Sequence, residues 1–199
     1  MEVRIVEATV HGRALVERRS ERWLVGFHGY AETAETMLAQ LRTIPGNEEW
    51  SLLAIQALHP FYTREQKVVA NWMTSLDREL AIEDNVAYVQ RVLEDVNAGR
   101  RVFLGFSQGV AMAFRAAAHL GAAGVIALGA DVPPDVADRS LPPALLARGL
   151  SDDWYTAEKF EKDLRVLKTA TRLEFAGGHE WTEEFRDAAA AFLKSLNVP

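Results

Sequence analysis

The feature that most constrains this chain is an alternation, sustained over most of its length, between short apolar runs and segments whose apolar residues recur at helical spacing. Trp23-Leu24-Val25-Gly26-Phe27 is nearly continuous in apolar character, as a strand buried on both faces requires. Met37, Leu38 and Leu41 then share one helical face within Ala34 to Ile44, and Pro45-Gly46 stops the helix. Leu52 to Ile55 predicts a second strand. Ile82, Val86, Val89 and Leu93 predict a helix ended by Asn97-Ala98-Gly99. The strand Val102 to Phe106 and the helix Gln108 to Leu120 follow, then strands at Gly124 to Leu128, Ala144 to Ala147 and Thr171 to Phe175. Helical faces run through Phe160, Leu164 and Leu167, and from Trp181 to Leu196. A strand whose successor lies beyond a helix joins it in parallel, so the expected class is α/β with a mostly parallel, doubly wound sheet. Two β-prone segments around His11-Gly12, between Val3 and Glu17, predict an antiparallel hairpin at one sheet edge. A length of 199 residues, 49% of them hydrophobic, is expected to form one domain spanning 1–199. The loop between Val132-Pro133-Pro134 and Leu141-Pro142-Pro143 is too short for a lid domain.

Several function classes are excluded by composition. The chain has no cysteine, which removes disulfides, thiolate metal sites and a cysteine nucleophile. A net charge of −6, with basic residues scattered among acidic ones, disfavours nucleic acid as a partner. No apolar run reaches the roughly 18 residues that span a bilayer, and charges within the first few residues are unlike a secretory signal, so a cytoplasmic protein without membrane insertion is expected. Neither a Gly-x-Gly-x-x-Gly turn after the first strand nor a P-loop lysine motif is present, which disfavours nucleotide binding.

Gly105-Phe106-Ser107-Gln108-Gly109 lies between a predicted buried strand and a predicted helix, the setting of a Gly-x-Ser-x-Gly turn that holds a serine exposed above a sheet. A serine hydroxyl is a weak nucleophile near neutral pH and needs a base, itself oriented by a carboxylate. Of the five histidines only His179 lies beyond the serine and just after a predicted strand, in the loop Ala176-Gly177-Gly178-His179. His119 falls on the helix after Ser107, His11 in the hairpin and His59 in the Pro60 turn. The acid is expected after the strand preceding the histidine's own. Asp152 and Asp153 both satisfy this, either of them able to cap the next helix instead, and Asp131 is a third candidate. Backbone N–H groups of Gln108 and of Tyr30, after His28-Gly29, are the expected donors to a developing oxyanion. The connection after His59-Pro60 carries Phe61, Tyr62, Trp72 and Met73; with Trp154 these are expected to line a substrate pocket, ordinary core packing being the alternative.

Five motifs resemble, in order, those of the phospholipase/carboxylesterase family of α/β-hydrolases: His28-Gly29-Tyr30-Ala31, Gly105-Phe106-Ser107-Gln108-Gly109, Gly129-Ala130-Asp131-Val132-Pro133, Gly149-Leu150-Ser151-Asp152 and Gly177-Gly178-His179-Glu180. The family includes acyl-protein thioesterases and small bacterial carboxylesterases, and the resemblance spans Trp23 to about Phe192. It implies an α/β-hydrolase fold, a Ser107–Asp152–His179 triad, Tyr30 and Gln108 as oxyanion-hole positions, and Trp72 as a substrate-side aromatic. The chain departs from the family at Asp153-Trp154-Tyr155, where a small hydrophobic run and a proline usually follow the acid.

The expected activity is hydrolysis of a small carboxylic ester through an acyl-enzyme, with no metal or organic cofactor. The same triad serves a thioesterase or lysophospholipase, and a non-catalytic ligand-binding protein on the same fold is the third alternative. Oligomeric state is left open by the composition.

Overall fold

A computed structural model, described for residues 1–196, arranges these segments as β1 (Ala14–Glu17), β2 (Arg22–Phe27), α1 (Ala34–Leu41), β3 (Ser51–Ile55), β4 (His59–Tyr62), β5 (Val68–Asn71), α2 (Arg78–Asp95), β6 (Arg100–Phe106), α3 (Gln108–Leu120), β7 (Gly124–Leu128), β8 (Ala144–Gly149), α4 (Ala157–Val166), β9 (Ala170–Phe175) and α5 (Glu183–Ser195). Seven strands form one sheet in the order β1-β3-β2-β6-β7-β8-β9, and every pairing but β1 with β3 is parallel. This is the α/β-hydrolase arrangement of a doubly wound sheet.

The strands are apolar on both faces because helices cover both. Along β2, Trp23, Val25 and Phe27 point to one side, with Phe103 of β6, Val110 and Phe114 of α3, and Val89 and Leu93 of α2. Leu24 points to the other, with Val102 and Leu104 of β6, Met37 and Leu41 of α1, and Phe185 and Phe192 of α5. The period of two along each strand thus becomes two apolar layers. Threonines set three helix starts: Thr33, Thr156 and Thr182 each accept from the backbone N–H three residues on, opening α1, α4 and α5.

The antiparallel edge foreseen at the N-terminus is present, but its partner is β3, with Ala14 facing Ile55 and Glu17 facing Leu52. Residues before Ala14 form no strand, in place of the first arm of the predicted hairpin. Val3, Ile5, Val6 and Val10 stay exposed, whereas β3 is wholly buried and offers β1 an edge backed by the core. The aromatic connection after His59-Pro60 is also more regular than a loop. It folds into the β4–β5 hairpin, a separate two-stranded sheet.

From β2 the chain passes outward to β3, then returns over β2 to β6 and continues the other way. The strand order therefore reverses between β2 and β6, and the crevice beyond their C-terminal ends is where doubly wound sheets bind ligands. His28-Gly29-Tyr30 and Ser107 both leave the sheet there.

Candidate active site

Ser107 joins β6 to α3 with φ 51° and ψ −123°, a conformation that costs a non-glycine residue about 1–3 kcal/mol and persists where its surroundings enforce it. They do so on both sides. The Ser107 N–H donates to Leu128 O of β7 at 2.9 Å, and Val110 N–H donates to Ser107 O at 2.9 Å. The flanking glycines permit the turn: a Cβ at Gly109 would stand 2.0 Å from Phe27 O, and one at Gly105 2.5 Å from Gly109 O. Helix α3 is thereby pressed onto the end of β2.

The histidine and acid loops follow β9 and β8, and the backbone laces them together. Leu150 N–H donates to Phe175 O and Ser151 N–H to Gly177 O, both at 2.9 Å. Asp152, almost wholly buried, divides its oxygens: Oδ1 accepts from the N–H groups of Trp154 (2.9 Å) and Tyr155 (3.0 Å), and Oδ2 meets His179 Nδ1 at 2.9 Å. A carboxylate so held fixes the imidazole orientation and leaves Nε2 free to take a proton. Asp153 is exposed, as is Asp131, and the cap of α4 is Thr156 rather than either aspartate. The His179 ring lies against Phe106, with centroids 5.0 Å apart, and against Gly129, where a Cβ would fall 2.9 Å from Cε1. Phe106 precedes Ser107, and Gly129 follows the residue that accepts its N–H. The imidazole is therefore packed onto the two segments that hold the serine.

The loop after β2 is fixed from below and from the side. His28 is buried, accepts from Ala57 N–H at Nε2 (3.0 Å) and contacts Gly29 O through Nδ1 (2.7 Å), so Nδ1 carries the proton; burial lowers its pKa and keeps it neutral. Ala31, at φ 58°, donates to Ala70 O, and Ala70 N–H returns a bond to Glu32 O, both at 3.0 Å. Glu32 Oε2 accepts the Gly29 N–H at 2.7 Å. Burial raises the Glu32 carboxyl above its ordinary range, opposed by the Gly29 N–H and by the proximity of His179. Across the crevice, the Gln108 side chain accepts from Trp72 N–H and donates to Met73 O, both at 2.9 Å. Among the described residues, the N–H groups of Tyr30 and Gln108 have no acceptor.

A cavity of about 250 Å³ opens beside Ser107 and Gln108, walled by Met73, Ala111, Gly129 and Trp154 and rimmed by charged side chains. Of the aromatic and sulfur residues expected at a pocket, it brings together Met73 and Trp154. Trp72 is fully buried in the core and donates its Nε1–H to His28 O at 2.9 Å, supporting the loop rather than lining the cavity. Phe61 packs on Tyr30 at 5.4 Å and Tyr62 is exposed, both outside the cavity wall. Glu32 and Arg115 escaped the sequence reading. Arg115 had a signal, since Ser107, Ala111 and Arg115 recur every fourth residue on one face of α3. Glu32 had none, because its bond runs back to a loop whose shape only the fold defines.

No family model and no curated protein sequence matches the chain. Solved structures do. A Bacillus cereus carboxylesterase superposes with a TM-score of 0.73 at 15% identity, covering 93% of this chain and 94% of that one. Esterase PE8 gives 0.75 at 22% identity over 95% and 100%. Zea mays acyl-protein thioesterase 2 gives 0.73 at 20% identity over 94% and 99%. These are proteins of the kind that the five motifs resemble, and at such identities the shared property is architecture: the chain has the α/β-hydrolase fold.

Proposed function

We propose that this protein is a serine hydrolase that cleaves small carboxylic esters through an acyl-enzyme. The observation that carries the reading is the pairing of half-buried His179 with buried Asp152, the imidazole packed through Phe106 and Gly129 onto the strained turn of Ser107. In the first half-reaction His179 Nε2 takes the proton of Ser107 Oγ as the oxygen attacks the ester carbonyl. The resulting oxyanion accepts from the Tyr30 and Gln108 N–H groups, whose lack of other acceptors leaves them available. The carbon–oxygen bond to the alcohol breaks, His179 returns the proton to the leaving oxygen, and Ser107 keeps the acyl group. Water repeats the sequence, releasing the acid. Met73 and Trp154 supply apolar wall to a cavity sized for a short chain. The esterase and thioesterase likenesses support hydrolysis of an acyl–oxygen or acyl–sulfur bond in general, and the small cavity favours the small ester within it. No helix among the described residues is long and apolar enough to cross a membrane.

The test is hydrolysis of 4-nitrophenyl esters of increasing acyl length, with intact-mass detection of a fluorophosphonate adduct. Turnover that declines with acyl length, and an adduct on wild type that is absent from Ser107→Ala, are the expected results. A wild-type protein that neither turns over these esters nor takes the label would remove the reading.

A further inference from the structure

We propose that the ester this site takes carries a carboxylate, recognised by the cationic rim of the cavity beside Ser107. The inference rests on the hydrolase reading and names its substrate class. Although the chain as a whole carries −6, the residues lining this cavity include Arg78, Arg115 and Lys159 against one carboxylate, Asp131. Arg115 is fully buried, two helical turns beyond Ser107 on the same face of α3, with Ala111 between them leaving the space open. The eight-residue rise is about 12 Å, and the guanidinium reaches Met73, whose carbonyl accepts from the Gln108 side chain next to Ser107.

Asp135 holds that guanidinium in a two-point pair, Nε to Oδ2 at 2.8 Å and Nη2 to Oδ1 at 2.7 Å, which fixes its plane. The third nitrogen, Nη1, faces Met73 Sδ at 3.4 Å, a weak acceptor that satisfies no charge. The Arg115 guanidinium holds the Asp135 carboxyl below its ordinary range, and the more distant charge of Arg78 adds a smaller push in the same direction. Lys159 is held at the rim by its bond to Trp154 O at 3.0 Å. With Asp131 and Asp135 both counted against the three cations, the surplus is positive. An acyl chain of a few carbons, joined to Ser107 at one end and ending in a carboxylate, spans this distance and meets that surplus. Its hydrolysis gives an alcohol and a dicarboxylate. A purely apolar chain would leave that surplus unmet.

The experiment compares kcat/KM for 4-nitrophenyl hemiglutarate with that for 4-nitrophenyl pentanoate, in which a methyl replaces the carboxylate. The expected ratio favours the acid by about tenfold or more at low ionic strength. It should shrink between roughly 0.01 M and 1 M salt, over which the screening length falls from about 30 to about 3 Å. Arg78→Glu and Lys159→Glu, both at exposed positions, are expected to lower the ratio. A wild-type ratio near one, or a ratio unmoved by either reversal, overturns the proposal. Should neither ester be turned over, the hydrolase reading falls, and the cationic rim is judged by binding alone. For this, the Trp154 indole resonance of the Ser107→Ala protein is followed by 1H–15N NMR during titration with monomethyl glutarate and with methyl pentanoate. A salt-sensitive shift with the acid only upholds the anion site; equal responses, or none, reject it.

Discussion

Phe106 and His179 lie with ring centroids 5.0 Å apart and planes tilted by 35°, so the residue before the serine forms one wall of the imidazole's seat. Trp181 also packs on Phe106, with ring centroids 5.7 Å apart. A flat ring restrains an imidazole about its Cβ bond in a way that a branched aliphatic chain does not. Phe106→Leu keeps the apolar character and much of the volume, so stability is expected to fall by about 1–1.5 kcal/mol, as for a near volume-conserving core change. Ester turnover is expected to fall by about three- to tenfold in kcat with KM little changed, because the lost restraint acts on proton transfer rather than on substrate binding. Steady-state kinetics beside a urea melt checks both. An unchanged kcat would mean that Asp152 alone orients the base.

Asp152 and Asp153 are neighbours in sequence with opposite surroundings. One is buried with both oxygens engaged, the other exposed. Asp152→Asn leaves an amide that can present its N–H to Nδ1 and favour the wrong tautomer, and a loss of about 10⁴ in kcat is expected by analogy with that change in other triads. Asp153→Asn is expected to alter kcat less than about twofold. Equal losses in both variants would show that the whole turn, rather than one carboxylate, is being disturbed.

Much of this arrangement was legible in the sequence because it is local. The βα alternation, the Gly-x-Ser-x-Gly turn with its strand and helix, and the placement of His179 after the last strand all depend on near neighbours, and α3 begins and ends where its apolar face and Gly121 put it. The Asp152 register needed more than spacing, since either aspartate suits a loop; burial and Thr156 separate them. What stayed hidden was long-range. Nothing in Val3 to Val10 reveals that β3 is the better partner for β1, and an apolar stretch that ends in a buried tryptophan reads the same whether it lines a pocket or, like Trp72, supports a loop from beneath.

Glu32 is a half-buried carboxylate beside the site that the proposed triad does not use. Its bond to the Gly29 N–H holds the His28–Gly29 peptide, one link before the peptide that carries the Tyr30 N–H, and so steadies the direction of one proposed oxyanion donor. Glu32→Gln retains an acceptor and is expected to keep kcat within a fewfold of wild type. Glu32→Ala leaves the Gly29 N–H without a partner; a hydrogen bond to a charged group contributes about 1.5–3 kcal/mol, so kcat is expected to drop by about tenfold or more. A thermal melt run alongside separates lost alignment from lost folding. Equal kinetics for the two variants would assign Glu32 no part in holding the loop.

Asp163 ties the acid loop to the turn after β7, its Oδ2 accepting from Tyr155 O–H at 2.8 Å and from Val132 N–H at 3.0 Å while almost wholly buried. Burial raises its pKa above the ordinary 3.8, and the nearby Asp131 adds to the effect. The folded protein thus holds this proton more tightly than the unfolded chain does. Below the ordinary value both states are protonated and no penalty applies. As pH rises past it, the unfolded chain releases its proton first, and stability declines until the folded carboxyl also ionises. Asp163→Asn keeps an acceptor oxygen without a charge to desolvate, so it should lack this decline. Urea unfolding from about pH 4 to about pH 7 is expected to show the variant gaining stability relative to wild type as pH increases, whatever constant offset the amide introduces. Parallel curves for the two proteins would mean that the carboxylate's partners fully offset the cost of burying its charge.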